Sequence, residues 1–346
     1  MTERNNFDLL RLALASTVFL VHAHILSRAP ALAFLERFLS TDFAVKGFFA
    51  VSGYLVFMSF ERSASLREYF EKRARRILPA YAFVVLAAFL AGAALTDRDL
   101  QRYLFEGALR YLAANLAFAN FLAPALPGVF ESNPQPTVNG ALWTLKIEVM
   151  FYLTVPLIAA LFRFGRVRVI LTLYVLSVAY TLLLTLAAER TGLPLYTVLA
   201  RQYPGQLAFF LCGALMYYAA PPLQRVPYVA AFVAACAYLI AAGTAEPLLG
   251  PVAISYTVLY FALAFPYLGN FGRFGDFSYG VYILHFPILQ LLVQQQLFAR
   301  DPMFGFAVAC ASVYVCAAVL WHLVEKRFLR GSSHYRRAAA AAAEGR

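Results

Sequence analysis

The chain has 346 residues, of which 62% are apolar and 14% charged, against about 45–50% and about 25% in an ordinary soluble domain. That balance excludes a soluble enzyme. The 29 Lys and Arg outnumber the 18 Asp and Glu to give a formal charge of +11, which in so apolar a chain points to membrane topology and not to a nucleic-acid partner.

Ten apolar runs close to the roughly 20 residues that cross a bilayer fall at 6–26, 43–60, 79–95, 140–162, 169–188, 202–220, 226–243, 248–268, 277–298 and 303–323. The first contains Asp8, Arg11, His22 and His24 and has no small-residue cleavage site behind it. It reads as a retained span and not as a cleaved leader. Between the second and third runs, residues 61–78 mix Arg with aliphatic side chains, which predicts an amphipathic surface helix that ends at Pro79. The stretch 111–130, with Asn115, Asn120, Pro124 and Pro127, is expected to be a re-entrant or surface helix pair. The four cysteines lie inside apolar runs without CxxC or Cys/His spacing, so neither a disulfide scaffold nor a metal site is indicated. The expected fold is all-α and polytopic: about ten transmembrane helices in one domain over 1–330, then a tail at 331–346.

Placing the N-terminus in the cytoplasm gives the inner segments 18 bases and 7 acids, and the outer ones 8 and 9. This follows the positive-inside rule with both termini cytoplasmic. The charge of the chain is therefore the charge of one face.

Ionisable side chains inside spans are costly and default to a functional reading. Among them are Asp8, Arg11, His22 and His24 in the first span, Lys146 and Glu148 in the fourth and His285 in the ninth. Eleven residues at about 100° each put Arg11 and His22 on one helix face. Measured from the span ends at 1.5 Å per residue, His22 and Glu148 are expected to meet in the outer half, and Arg11 and His285 in the inner half. Imidazole suits general-base work near neutral pH, and a carboxylate on its other nitrogen would fix the tautomer, which makes Glu148 the expected partner of His22. His24 lies on a different face and reads as structural, and His322 beside Trp321 as an interfacial anchor. At the inner surface, Lys72, Arg73, Arg75 and Arg76 would attract anionic lipid head groups. Arg73 and Arg76, at i and i+3, also form one face that could dock a phosphorylated donor. No Gly-rich phosphate loop is present. A transporter or flippase for a glycan or lipid-linked sugar would use a polar stripe equally well, although no inverted repeat is visible.

These residues fall in an order that resembles the membrane-bound acyltransferase family 3. FDLLR (Phe7 to Arg11) followed by His22 is similar to its Arg-x10-His helix, and GFFAVSGYL (Gly47 to Leu55) to its SGY segment. RARRILPAY (Arg73 to Tyr81) is similar to its Arg-x-x-Arg before Pro. ALWTLKIEVMFY (Ala141 to Tyr152) resembles W-S-L-x-x-E, with Thr144 where Ser is usual. SYGVYILHFP (Ser278 to Pro287) resembles S-Y-x-x-Y-x-x-H-x-P, and VEKRF (Val324 to Phe328) the closing E-x-P, with Arg327 where Pro is common.

The resemblance implies transfer of an acyl group, usually acetyl from cytoplasmic acetyl-CoA, to a hydroxyl of an exported bacterial glycan such as lipopolysaccharide O-antigen or exopolysaccharide. It implies a multi-pass protein of the bacterial inner membrane, with acyl-CoA as a donor substrate and no resident cofactor, and a form without an SGNH esterase-like domain. Membrane lipid, the donor inside and the glycan outside are the expected partners. His22 and Glu148 are the implied catalytic residues, with Arg11, Arg73 and Arg76 at the donor. Asp8, Ser52, Trp143, Ser278, Tyr279 and His285 are supporting positions, and Ser52 is the hydroxyl that a covalent acyl-enzyme route would use, although a Ser–Gly pair also serves helix packing.

Overall fold

The computed structural model describes residues 5–329 other than 245. All regular structure among them is helical, and each of the ten predicted spans holds a helix: α1 (Phe7–Ser27), α2 (Thr41–Glu61), α3 (Leu66–Leu95), α4 (Trp143–Leu161), α5 (Arg166–Thr191), α6 (Tyr203–Ala219), α7 (Val226–Ala242), α8 (Gly250–Ala264), α9 (Ser278–Gln294) and α10 (Pro302–Leu320). The stretches containing α1 to α5 and α10 are each long and apolar enough to cross a membrane. The expected tail at 331–346, with His334 and the alanine run 338–343, lies outside the described residues.

Helix starts follow local chemistry. Pro204, Pro227, Pro251 and Pro302 occupy the first turns of α6, α7, α8 and α10, where a missing N–H costs nothing. Asp301 caps α10 by accepting from the N–H groups of Met303 and Phe304 at 3.0 and 3.1 Å. At the start of α3, Glu68 N–H donates to Ser65 Oγ at 3.2 Å and Ala64 N–H to Glu68 Oε2 at 2.7 Å, which closes both ends of a capping turn.

Two stretches differ in texture from simple spans. The predicted surface helix does not end at Pro79; α3 runs through it to Leu95 as one 30-residue element. Proline removes one backbone bond, but its fixed φ is itself helical, and apolar surroundings supply compensating neighbours. Residues 111–130 contain only the end of a short helix, Leu109–Leu116, and a turn at Asn120–Leu122. The buried Asn115 amide donates to the carbonyls of Tyr111 and Ala123 at 2.9 and 3.0 Å, and Tyr81 donates to the Asn115 carbonyl at 2.6 Å. Irregular backbone is thus satisfied inside protein, with one short helix and a turn in place of the expected helix pair.

Within the stretch expected to form one domain, the chain divides into two compact units, each drawn from several segments. The first comprises the residues up to Leu10, Asp42–Phe70 and Ile147–Gly269. Within it α2 and α6 touch backbone to backbone, because a Cβ at Gly53 would collide with the Phe210 carbonyl and one at Gly213 with the Ala50 carbonyl. Phe151 stacks on Phe210, with centroids 4.2 Å apart, to fill the adjacent core. Leu171, Val175, Leu176 and Leu183 leave an apolar face of α5 uncovered, which suits lipid and not water.

The second unit comprises Arg11–Thr41, Glu71–Lys146 and the residues from Asn270 onward. Here α1, the greater part of α3, α9, α10 and the 97–142 segment lie together. Asn139 donates to the Ile283 carbonyl at 2.8 Å and Gln290 to the Thr137 carbonyl at 2.6 Å, tying that segment to α9. Ser16 and Tyr314 share a hydrogen bond of 2.7 Å between α1 and α10. The polar side chains that α1, α3 and α9 bring together all lie in this unit.

Candidate active site

Two polar rungs join α1 to the stretch that begins just before α9. At the first, Arg11 Nη1 lies 3.1 Å from Asp276 Oδ2, and Arg76 of α3 donates to the same oxygen. The other carboxylate oxygen accepts from the Ser278 backbone at 3.2 Å and from the Ser278 hydroxyl. Arg76 also reaches Glu325 Oε2 at 3.5 Å. Both carboxylates are 2% exposed and the arginines 16% and 18%, so the acids sit behind and the guanidiniums in front.

The backbone explains this placement. Gly275 has φ +129°, and a Cβ there would run into the Trp321 indole; only glycine lets the chain pass so close and insert Asp276 beneath the arginines. Glu325 closes a five-residue π turn, Trp321–Glu325, that follows α10. Such turns re-aim side chains and recur at functional sites. Tyr279 donates to the Ile77 carbonyl at 3.1 Å and lies under the Arg76 guanidinium, 5.8 Å from ring centroid to charge. Burial alone would raise the Asp276 carboxyl, but Arg11, Arg76 and the Ser278 donors outweigh it and bring it down to about 2.

The second rung is imidazole to imidazole: His22 Nδ1 is 2.8 Å from His285 Nε2. The other nitrogen of His285, Nδ1, lies 3.1 Å from the Val281 carbonyl oxygen one turn back on α9. His285 is fully buried, whereas His22 is only half-buried. Arg11 and His22 share a face of α1, roughly 16 Å apart along its axis.

The expected pairings are thus corrected. Arg11 meets Asp276 instead of His285, and the ring nitrogen of His22 that Glu148 was expected to hold is bonded to His285. Depth reckoning from the span ends gives the two spans a common starting level. The Arg11–Asp276 pair shows instead that the start of α9 is level with a point one turn into α1, which carries His285 up to His22. Glu148 belongs to the first unit, where it accepts from the Tyr152 hydroxyl four residues on.

The other predicted positions divide similarly. Arg73 is three residues before Arg76 on α3 and shares its face. Trp143 opens α4, half-buried, and Thr144 beside it bonds the Tyr282 hydroxyl of α9 at 2.6 Å. Asp8 lies in the first turn of α1, within the first unit. Ser52 is also in that unit, and its Oγ is buried without a hydrogen-bond partner among the described residues. Its neighbour Gly53 does the packing work. His24 reaches the Ala29 carbonyl at 3.1 Å, as a structural residue does, and His322 is exposed beside Phe277. Asp276 and Glu325 were missed as site residues. Both look like ordinary loop charges at span ends, although Glu325 stands inside the VEKRF match and Asp276 two residues before Ser278.

An arginine pair backed by buried carboxylates has the chemistry to receive an anion, and a half-open imidazole bonded to a buried one has the chemistry to take up a proton at a fixed orientation. Together with the helical, lipid-suited architecture, they define an integral membrane protein equipped for group transfer. Residues 4–322 match the family model described as the acyltransferase domain, and the chain belongs to this acyltransferase family 3. It is 29% identical over 340 residues to an "O-acetyl transferase" of Shigella phage Sf6, covering 96% of this chain and 98% of that one. It is 30% identical over 317 residues to "Nodulation protein 10" of Rhizobium leguminosarum bv. viciae, covering 84% of each. No solved structure matches it.

Proposed function

We propose that this membrane acyltransferase moves an acyl group, most simply acetyl, from cytoplasmic acyl-CoA to a hydroxyl of an exported glycan. The observation that carries the reading is the pairing of His22 on α1 with His285 on α9, beside the Arg11–Asp276 pair that joins α1 to the approach to α9. In it, Arg11, Arg76 and Arg73 receive the phosphates of the donor. His22 takes the proton of the acceptor hydroxyl as its oxygen attacks the thioester carbon. The C–S bond then breaks, and the thiolate of CoA leaves with the proton from His22. Ten crossings with both termini in the cytoplasm of a bacterial inner membrane would set the basic segments on the donor side. The name of the phage relative supports O-acetyl transfer, and membership of an acyltransferase family favours an enzyme over a transporter.

The test is acyl transfer from radiolabelled acetyl-CoA by the purified protein in nanodiscs, with mass spectrometry of surface glycans from cells with and without it. His22→Ala is expected to abolish transfer while elution and thermal unfolding stay as in the wild type. Full transfer by that variant would overturn the reading.

A further inference from the structure

We propose that His285 is a positioning residue that fixes the tautomer of His22, so that Nε2 of His22 is the basic atom; the inference rests on His22 being the proton acceptor. The chain of hydrogen bonds runs outward from the Val281 carbonyl. A carbonyl oxygen only accepts, so the 3.1 Å contact with His285 Nδ1 places a hydrogen on that nitrogen. In a neutral imidazole the other nitrogen, Nε2, is then a lone pair. It can only accept from His22 Nδ1 at 2.8 Å, which places the hydrogen of His22 on Nδ1. His22 Nε2 is left unprotonated on the half-buried edge of the pair.

The surroundings hold this state. The two ring planes are 11° apart and their centroids 5.1 Å apart, and the contact that joins them is the 2.8 Å one between nitrogens. His285 is 0% exposed, with Phe19, Tyr282 and Phe286 around it at centroid distances of 6.3, 6.0 and 6.3 Å. Turning either ring by half a turn would bring carbon to the shared contact and break the chain. The role a carboxylate plays in a triad is filled by a neutral ring tied to backbone, which avoids burying another charge. When His22 takes a proton at Nε2, its Nδ1–H bond to His285 becomes charge-assisted and strengthens.

The test is ¹⁵N NMR of histidine-labelled protein in nanodiscs, with signals assigned through His22→Ala and His285→Gln. The wild type is expected to show both rings protonated at Nδ1 with unprotonated Nε2. His285→Phe should scramble the His22 tautomer and lower kcat ~100-fold with KM for acetyl-CoA unchanged. His285→Gln, whose Oε1 can still accept from His22 Nδ1, should keep the tautomer and restore kcat to within ~10-fold of the wild type. If His285→Phe fails to fold, the wild-type spectrum and the Gln variant decide. Protonation of His22 at Nε2 in the wild type, or a Gln variant as inactive as His22→Ala, overturns the proposal. The NMR readout is independent of catalysis, so a confirmed tautomer beside an active His22→Ala would remove the base reading alone.

Discussion

Arg11 and Asp276 form an ion pair of 3.1 Å between the first helix and the approach to the ninth, and the oxygen that Arg11 meets is the one to which Arg76 donates. One buried carboxylate thus holds two guanidiniums side by side. Like charges at that spacing repel, so the pair persists because Asp276 remains ionised between them.

Asp276→Asn removes that charge and leaves the arginines facing each other. Breaking a buried ion pair from one side costs ~3–5 kcal/mol, and the thermal unfolding midpoint in nanodiscs at pH 7 is expected to fall accordingly. The carboxyl is held at about 2 when folded, below the roughly 3.9 of an unfolded Asp. Its contribution is therefore complete above pH ~4 and is lost as pH falls from there towards ~2. The wild type should lose more stability across that acid window than the variant does. Equal unfolding midpoints at pH 7 would show that the pair does not hold the site together.

Arg76→Lys tests the fork. Arg76 reaches Asp276 with one terminal nitrogen and Glu325 with the other, whereas a lysine ammonium is a single point that cannot span both. KM for acetyl-CoA is expected to rise ~10-fold or more, since one charge-assisted bond is worth ~1.5–3 kcal/mol, while kcat with saturating donor changes little. A steady-state series over donor concentration separates the two. A fall in kcat with constant KM would move Arg76 from the donor site to the chemistry.

The helices were legible because an apolar run long enough to cross a bilayer has few alternatives, and Arg11 and His22 share a face by helical arithmetic alone. Stagger between helices was not. It depends on how far the Gly275–Asp276 approach reaches before α9 begins, and that is set by the fit of a bare glycine against Trp321. Without it, His285 falls on the wrong rung and Glu148 is paired with His22. Glu325 was hidden for another reason: it is aimed by a π turn, and the 3.6-residue period used to assign faces does not hold there. Pro79 misled in the opposite sense, because proline is a strong stop signal in water and a weaker one in an apolar bundle.

Thr144 stands where the family usually has Ser, and its hydroxyl bonds that of Tyr282, three residues before His285, at 2.6 Å. It also donates to the Ala141 carbonyl at 3.1 Å, so Tyr282 is the donor in the shared bond. The contact joins α4 to α9 beside the His285 ring, 6.0 Å from the Tyr282 centroid. A hydroxyl is what both residue types supply, and Thr144→Ser is expected to leave thermal stability and transfer near the wild type. Thr144→Val keeps the shape and removes one hydrogen-bond acceptor from the buried Tyr282 hydroxyl, at a cost of ~0.5–1.5 kcal/mol. It should lower the unfolding midpoint and, by loosening the wall of His285, reduce kcat more than it changes KM for acetyl-CoA. If Val behaves as Ser does, the hydroxyl pair has no part in holding the ring, and the position is one of volume alone.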